Sequence, residues 1–253
     1  MTTNHLVVIT GACGAYGREL AQRFSSADSR LILVDVQPEH HFLDELSHPE
    51  RAIYLRSDLS SSSEVLVLAQ KILQYGTPDV LINNAGIFPF DELLSIPPET
   101  IDTIMAVNFT APVLLMQHLG TAMSQAGGGS VCNISSGAAE AIRSNGAIYG
   151  ASKAALEQIT RAFAVVLGPS NVRVNAVRAG LRTRNLVADM LTGHESRIAA
   201  NVPLRRLSND GELADLVFFL CSDQALFITG QTISVDGGNT LNRRPTPTET
   251  TPL

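Results

Sequence analysis

Tyr149 and Lys153 stand four positions apart at the head of an apolar-patterned stretch. On a helix that spacing puts both side chains on one face. A phenol with a pKa of about 10 is a poor base at neutral pH. A neighbouring ammonium favours the phenolate and lowers that pKa, so the pair can exchange a proton with a bound oxygen. Ser136 comes thirteen residues before Tyr149, just past an apolar run of strand length, where its hydroxyl can hold a substrate oxygen. Serines in such places, Ser135 included, also cap loops. Asn108 lies within Thr100–Gln125, patterned as one long helix, and Pro112 follows it by four. Proline has no N–H, and its ring crowds the carbonyl four residues back. The spacing therefore predicts a kink that frees the Asn108 carbonyl for another donor, such as a water.

A second cluster lies near the front of the chain. An apolar run leads into Thr10-Gly11-Ala12-Cys13-Gly14-Ala15-Tyr16-Gly17, and a helix-like stretch follows. Small residues let such a backbone turn tightly and bring its N–H groups close to a pyrophosphate, while the helix N-terminus adds positive potential. The next apolar run ends in Asp35, eighteen residues after Gly17, with Val36 rather than Arg or Lys behind it. A carboxylate there accepts hydrogen bonds from ribose hydroxyls and repels a 2′-phosphate. The reading is NAD rather than NADP.

These clusters need elements to carry them. Strand-length runs occur at His5–Thr10, Arg30–Asp35, Ala52–Arg56, Val80–Asn83, Ser130–Ser135, Val172–Arg178 and Thr232–Asp236. Most are nearly continuous in Val, Ile and Leu, as parallel strands covered on both faces are. Helix-like stretches alternate with them: Tyr16–Phe24, Glu64–Tyr75, Thr100–Gln125, Tyr149–Leu167 and Gly211–Leu220. The alternation predicts one doubly wound α/β domain over residues 1–242, with a parallel sheet of about seven strands. Pro- and Thr-rich residues 243–253 read as a loose tail. Leu181–Pro203, after the sixth strand, reads as a substrate lid.

Composition narrows the classes. A net charge of −6 and a pI near 5.5 leave no basic footprint for nucleic acid. No apolar run approaches the roughly 20 residues of a membrane span. The first strand begins by about residue 5, leaving no room for a signal peptide. Cys13, Cys132 and Cys221 are scattered, without metal-ligand or disulfide spacing. The expectation is a cytoplasmic protein without a metal, acting on a small molecule. Apolar residues on more than one face of Thr100–Gln125 and Tyr149–Leu167, namely Leu114, Leu115, Met116, Phe163, Val165 and Val166, predict a second buried surface.

Over about residues 5–240 the chain resembles the short-chain dehydrogenase/reductase family. The motifs occur in family order: Thr10–Gly17, Asp58-Leu59, Asn83-Asn84-Ala85-Gly86, Asn108, Ser136, Tyr149 with Lys153, and Asp236-Gly237-Gly238. The resemblance implies a Rossmann-type fold and a tetrad of Asn108, Ser136, Tyr149 and Lys153. In it Tyr149 exchanges the proton, Ser136 steadies the substrate oxygen, and Lys153 binds the nicotinamide ribose and tunes Tyr149. The Asn108 carbonyl would hold a relay water. Gly11, Ala15, Tyr16, Gly17 and Asp35 would hold the coenzyme, Asp58 and Leu59 would flank the adenine, and Asn84, Ala85, Gly86 and Gly180 would line the inner site. The family also implies a homotetramer, or at least a homodimer, paired through the two long helices.

Two positions depart from the family pattern. Ala179-Gly180 stands where the family usually has Pro-Gly, which removes a fixed φ. The family's threonine at the carboxamide is usually one residue beyond Thr183, the position carried over here. Finally, Arg143, Arg178, Arg182 and Arg184 crowd the segments expected around the substrate. Guanidinium forks suit oxyanions. The expectation is an NAD-dependent oxidoreductase for a secondary alcohol and a ketone, or a sugar or polyol hydroxyl, on a substrate carrying an anionic group. The alternatives are a 3-oxoacyl thioester reductase and a catalytically silent NAD-binding protein. The first is disfavoured because Ala126–Gly129 and Pro169–Asn171 lack the basic residues that would grip an acidic carrier. The intact tetrad disfavours the second.

Overall fold

In the computed structural model, the described residues are 5–38, 41–89, 92–141, 145–182 and 195–241. Seven strands form one parallel sheet: β1 (Leu6–Thr10), β2 (Arg30–Asp35), β3 (Ala52–Arg56), β4 (Val80–Asn83), β5 (Gly129–Ser136), β6 (Val172–Ala179) and β7 (Thr232–Val235). Their order across the sheet is β3-β2-β1-β4-β5-β6-β7. The chain winds outward from β1 to β3, then crosses back to β4, so the connections on either side of β1 and β4 diverge. That switch point opens a crevice at the strands' carboxyl ends.

Alternation along each strand sends side chains to opposite faces, and here both faces are covered. Val8, Ile32, Leu81 and Val131 pack under helices α2 (Ser62–Tyr75), α4 (Ala111–Ala126) and α5 (Ala147–Leu167). Their neighbours Val7, Ile9, Leu33, Ile82 and Cys132 pack on the other side, against α1 (Ala15–Ser25) and α7 (Glu212–Cys221). This two-faced burial is why most of the strands read as nearly continuous apolar runs. α2 starts where the Ser61 side chain accepts from Glu64 N at 3.3 Å, and α4 stops at Gly127, whose φ of 97° suits glycine. A short helix, α6 (Glu195–Asn201), precedes α7.

One element differs from expectation. Thr100–Gln125 lies in one continuous helical run, as expected, but that run carries a π turn at Asn108. α3 (Pro98–Met105) and α4 are separated by a π turn over Ala106–Thr110, closed by Ala111 N donating to Ala106 O. Pro112 sits in the first turn of α4, directly after the π turn, where it offers no N–H to the Asn108 carbonyl. The six apolar residues expected to face a partner also divide. Leu115 and Met116 are fully buried in this chain's own core, and Leu114 and Phe163 pack against it. Val165 and Val166 alone of the six stand out, 77% and 72% exposed. The expected tail and most of the expected lid, residues 183–194, lie outside the described residues.

Candidate active site

One cavity of about 720 Å³ runs along the strand carboxyl ends, from Asp35, Asp58 and Leu59 to Ser136, Tyr149 and Lys153. The turn after β1 forms its floor. Gly11 has φ +65°, and a Cβ there would lie 2.7 Å from Ala85 Cα. A Cβ on Gly17 would lie 2.1 Å from Gly11 O, so the turn closes only without side chains. Asn84 locks this turn to β4: its Nδ2 donates to Thr10 O and Gly11 O at 2.9 and 3.0 Å. Thr10 Oγ1 accepts from Asn84 N and Ala85 N at 3.0 and 3.1 Å. Asp35 closes the far end, its two oxygens accepting from Cys13 N and Gln37 N at 2.9 and 3.1 Å. Ala15, Tyr16 and Gly180 line the middle.

At the other end, Tyr149 and Lys153 project from the first turns of α5, with Lys153 Nζ 5.9 Å from the Tyr149 ring centre. The Lys153 ammonium is buried and donates to Ile134 O at 2.8 Å. Loss of water lowers its pKa to about 8, so it stays mostly cationic at neutral pH. Asn108, fully buried in the π turn, presents its side chain to two elements. Its Oδ1 accepts from Ile87 N at 2.9 Å, and its Nδ2 donates to Ile87 O at 2.9 Å and to Ser152 Oγ at 3.1 Å. Asn108 thereby holds the β4 exit against α5. A Cβ on Gly86 would lie 3.3 Å from Lys153 Nζ and 3.4 Å from Asn108 Oδ1. Ser136 ends β5, and its Oγ accepts from Ala138 N at 3.2 Å. The loop-capping role and the cavity position therefore coexist in one residue. The Phe88 and Tyr149 rings meet edge to face, with centres 6.0 Å apart.

A second tyrosine lines the cavity and does different work. Burial pushes the Tyr16 phenol up to about 12, and its hydroxyl donates to Gly180 O at 2.9 Å. Tyr16 is thus a strut between the β1 turn and the end of β6, while Tyr149 stands beside the cation. Among the described residues, no group of His, Cys, Asp and Glu could hold a metal ion.

Comparison with known proteins decides the family. The sequence pattern described as enoyl-(acyl carrier protein) reductase matches residues 11–240. The chain is 32% identical to a 7alpha-hydroxysteroid dehydrogenase of Escherichia coli, over 91% of this chain and 92% of that protein. It is 31% identical to a cis-4-hydroxycyclohexanecarboxylate dehydrogenase of Sinomonas cyclohexanicum, covering 93% and 96%. A solved 4-hydroxyisoleucine dehydrogenase complexed with NADH superposes with a TM-score of 0.88 at 27% identity, covering 95% of this chain and all of that one. The chain belongs to the short-chain dehydrogenase/reductase family.

The four residues that the family resemblance singles out converge in the structure. Tyr149, Ser136 and Lys153 line the cavity, and Asn108 lies directly behind Gly86 and Lys153. The arginines behave otherwise. Arg178 is bound by Glu157 and Glu140. Arg182, 4% exposed, pairs with Glu19 and Asp210 and lies 5.1 Å from the Tyr16 ring centre. All three Arg178 nitrogens are taken by this chain's own carboxylates, whereas Arg182 pairs through Nη2 and leaves Nε and Nη1 without a hydrogen-bond partner among the described residues; neither arginine lines the cavity. Arg143, Arg184 and Thr183 lie outside the described residues.

Sequence reasoning passed over three contributors. Ile134 supplies the carbonyl for Lys153, Phe88 packs on Tyr149, and Glu157 holds Arg178. Glu157 carried a usable signal, being four residues beyond Lys153 on the same helical face. A backbone carbonyl carries none.

Proposed function

We propose that this chain is an NAD-dependent dehydrogenase/reductase that interconverts a secondary alcohol and a ketone on a substrate with an apolar body. The observation that carries this reading is the single cavity with Asp35 at one end and Ser136, Tyr149 and Lys153 at the other. The residues fit a dinucleotide: Gly11, Gly14 and Ala15 line the cavity at the start of α1, where helix N–H groups suit a pyrophosphate, and Asp35 suits an unphosphorylated ribose. Gly11, Ala15, Tyr16 and Gly17 would hold the pyrophosphate region, Asp58 and Leu59 the adenine, and Asn84–Gly86, Lys153 and Gly180 the nicotinamide half. A bound nicotinamide supplies the hydride acceptor in one direction and the donor in the other.

The protein's own part is proton handling. Tyr149 takes the hydroxyl proton during oxidation and returns it to the carbonyl oxygen during reduction. The Lys153 cation, held against Ile134 O, favours the phenolate that oxidation needs. Ser136 steadies the substrate oxygen. Pro112 offers no N–H to the Asn108 carbonyl, which is then available to a relay water. Around these groups the substrate end is lined by Ile87, Phe88, Val107, Ala138, Ala141 and Leu181. The charged side chains in the described lining are Asp35, Asp58, Lys153 and Asp236. Relatives named for a hydroxysteroid and for a hydroxycyclohexanecarboxylate support an alicyclic alcohol, and the second of these substrates carries a carboxylate. A relative named as an NAD-dependent glycerol dehydrogenase, 28% identical, supports the coenzyme. An anionic substrate group would fall to Arg143 and Arg184 alone.

The test is steady-state turnover with NAD and NADP over neutral ring alcohols, hydroxy acids, polyols and 3-hydroxyacyl thioesters. The expected result is NAD-linked oxidation of neutral ring alcohols, with a coenzyme preference that Asp35→Ala narrows by about tenfold through lost hydrogen bonds to a charged acceptor. Equal efficiency with NADP in the parent removes the coenzyme assignment. A clear preference for acids, lost in Arg143→Met or Arg184→Met, restores the anionic substrate. Turnover of thioesters alone favours the carrier-linked alternative.

The reading includes a cytoplasmic homotetramer, or at least a homodimer, with Val165 and Val166 on the covered face of α5. The free thiols Cys13, Cys132 and Cys221 suit a reducing compartment.

A further inference from the structure

We propose that Arg178 is a positioning residue for the catalytic groups, the centre of a clamp joining the three elements that carry the chemistry. The proposal rests on the dehydrogenase reading above. Every nitrogen of its guanidinium is occupied. Nε and Nη2 donate to the two oxygens of Glu157, each at 2.7 Å, and Nη1 donates to Glu140 Oε2 at 2.6 Å. Ser135 Oγ adds a further bond to Glu157 Oε1 at 2.7 Å. Glu157 is only 4% exposed, so the inner arm of this arrangement is buried, while Glu140 forms an outer arm at the surface.

What makes the clamp more than a stabilising contact is where its ends are attached. Glu157 follows Lys153 by four residues and Tyr149 by eight, so all three form one stripe along α5. Ser135 immediately precedes Ser136 and lies opposite Arg178 in the β5–β6 register. Glu140 belongs to the segment after Ser136, between Ala138 and Ala141, both of which line the substrate end of the cavity. On its other side Arg178 leads into Ala179-Gly180, and Gly180 O receives the Tyr16 hydroxyl. One cation thus spans the proton-exchanging helix, the substrate-oxygen strand with its following segment, and the strand end at the middle of the cavity. A planar fork holds two carboxylates at fixed angles, which an ammonium cannot do. Buried ion pairs of this kind contribute little net stability against an apolar replacement, which leaves geometry as their main effect.

The experiment compares parent, Arg178→Met, Arg178→Lys and Glu140→Gln. It measures kcat and KM for NAD and the alcohol that the parent oxidises best, NADH affinity by fluorescence titration, and amide hydrogen exchange in residues 137–141. Small misplacements of reacting groups cost up to about a hundredfold in rate. Arg178→Met is therefore expected to lose roughly ten- to a hundredfold in kcat/KM for the alcohol, with NADH affinity within about twofold of the parent. Arg178→Lys should recover part of that loss, and Glu140→Gln should raise KM for the alcohol about threefold and speed exchange in 137–141. Glu140 is the outer arm of the clamp, so its variant keeps the proposal testable where Arg178→Met does not fold. Unchanged kcat/KM in folded Arg178→Met or in Glu140→Gln overturns the clamp, as does an Arg178→Lys variant no better than Met. A parent that oxidises no alcohol refutes the dehydrogenase reading instead. Exchange in 137–141 then still reads the clamp, and an unchanged rate in Glu140→Gln overturns it.

Discussion

The two halves of the cleft are built from different materials. The half toward Asp35, which the proposed reading gives to the coenzyme, is built on backbone: a turn that excludes side chains at Gly11 and Gly17, fastened by Asn84 and Thr10 to main-chain groups across the two strands. The half toward Tyr149, which the same reading gives to the substrate, is made of side chains on separate elements, with Phe88 after β4, Ala138 and Ala141 after β5, and Leu181 after β6. A backbone-built site admits few residue types, because any added atom meets main chain that cannot move aside. A side-chain-built site can change its lining without disturbing the frame. Tyr149, Lys153 and Ser136 sit at the seam, where the invariant chemistry of the coenzyme meets a variable substrate.

The sharpest way to separate the halves is Tyr149→Phe. It removes the only phenol beside Lys153 and keeps the ring against Phe88, so kcat should fall roughly a thousandfold while NADH binding changes little. Turnover within tenfold of the parent would refute the assignment. Gly17→Ala attacks the other half. Its Cβ would meet the Gly11 carbonyl and Ala12 main chain at 2.1 and 2.7 Å, so the turn must shift. A loss of roughly 1–3 kcal/mol in unfolding free energy, with weakened NADH binding, is expected. A variant that melts and titrates like the parent would show that the turn is not backbone-limited.

The smallest effect, a change in stability, tests the seam itself. Lys153 has its pKa lowered to about 8 in the fold by burial, against about 10.5 for an exposed lysine. Below pH 8 it is charged in both states, and the folded protein bears the full cost of burying the charge. Between about 8 and 10.5 the folded state has released the proton while the unfolded chain keeps it, so stability rises with pH. Lys153→Met should therefore abolish turnover yet gain roughly 1 kcal/mol in stability at pH 7, the bare Ile134 carbonyl offsetting part of the relief. The advantage should shrink as pH climbs from 8 to 10.5, and denaturant unfolding at pH 7, 8.5 and 10 reads it. A gap that widens over that range would mean that the ammonium is not desolvated.

Much of this was legible in the sequence by itself. All seven strands are where the strand-length apolar runs place them, most plainly β1, β2 and β4, whose burial on both faces fills them with Val, Ile and Leu. The glycine turn, Asp35 at the second strand end and the Tyr149–Lys153 spacing are local features, each fixed by a few consecutive residues. The tertiary structure decided what depends on partners far along the chain. A period of four cannot be told from five over a single turn, so the π turn that buries Asn108 stayed hidden inside one apolar pattern. Val165 and Val166 separated from Leu115 and Met116 only when α5 and α4 were packed on the sheet. Arg178 meets carboxylates 21 and 38 residues away, and Arg182 meets one 28 residues away. An arginine's charge is written at its own position, but its partner is chosen by the fold that brings distant acids to it. That is why four arginines near one cleft suggested an anion, and why two of them proved to be part of the frame.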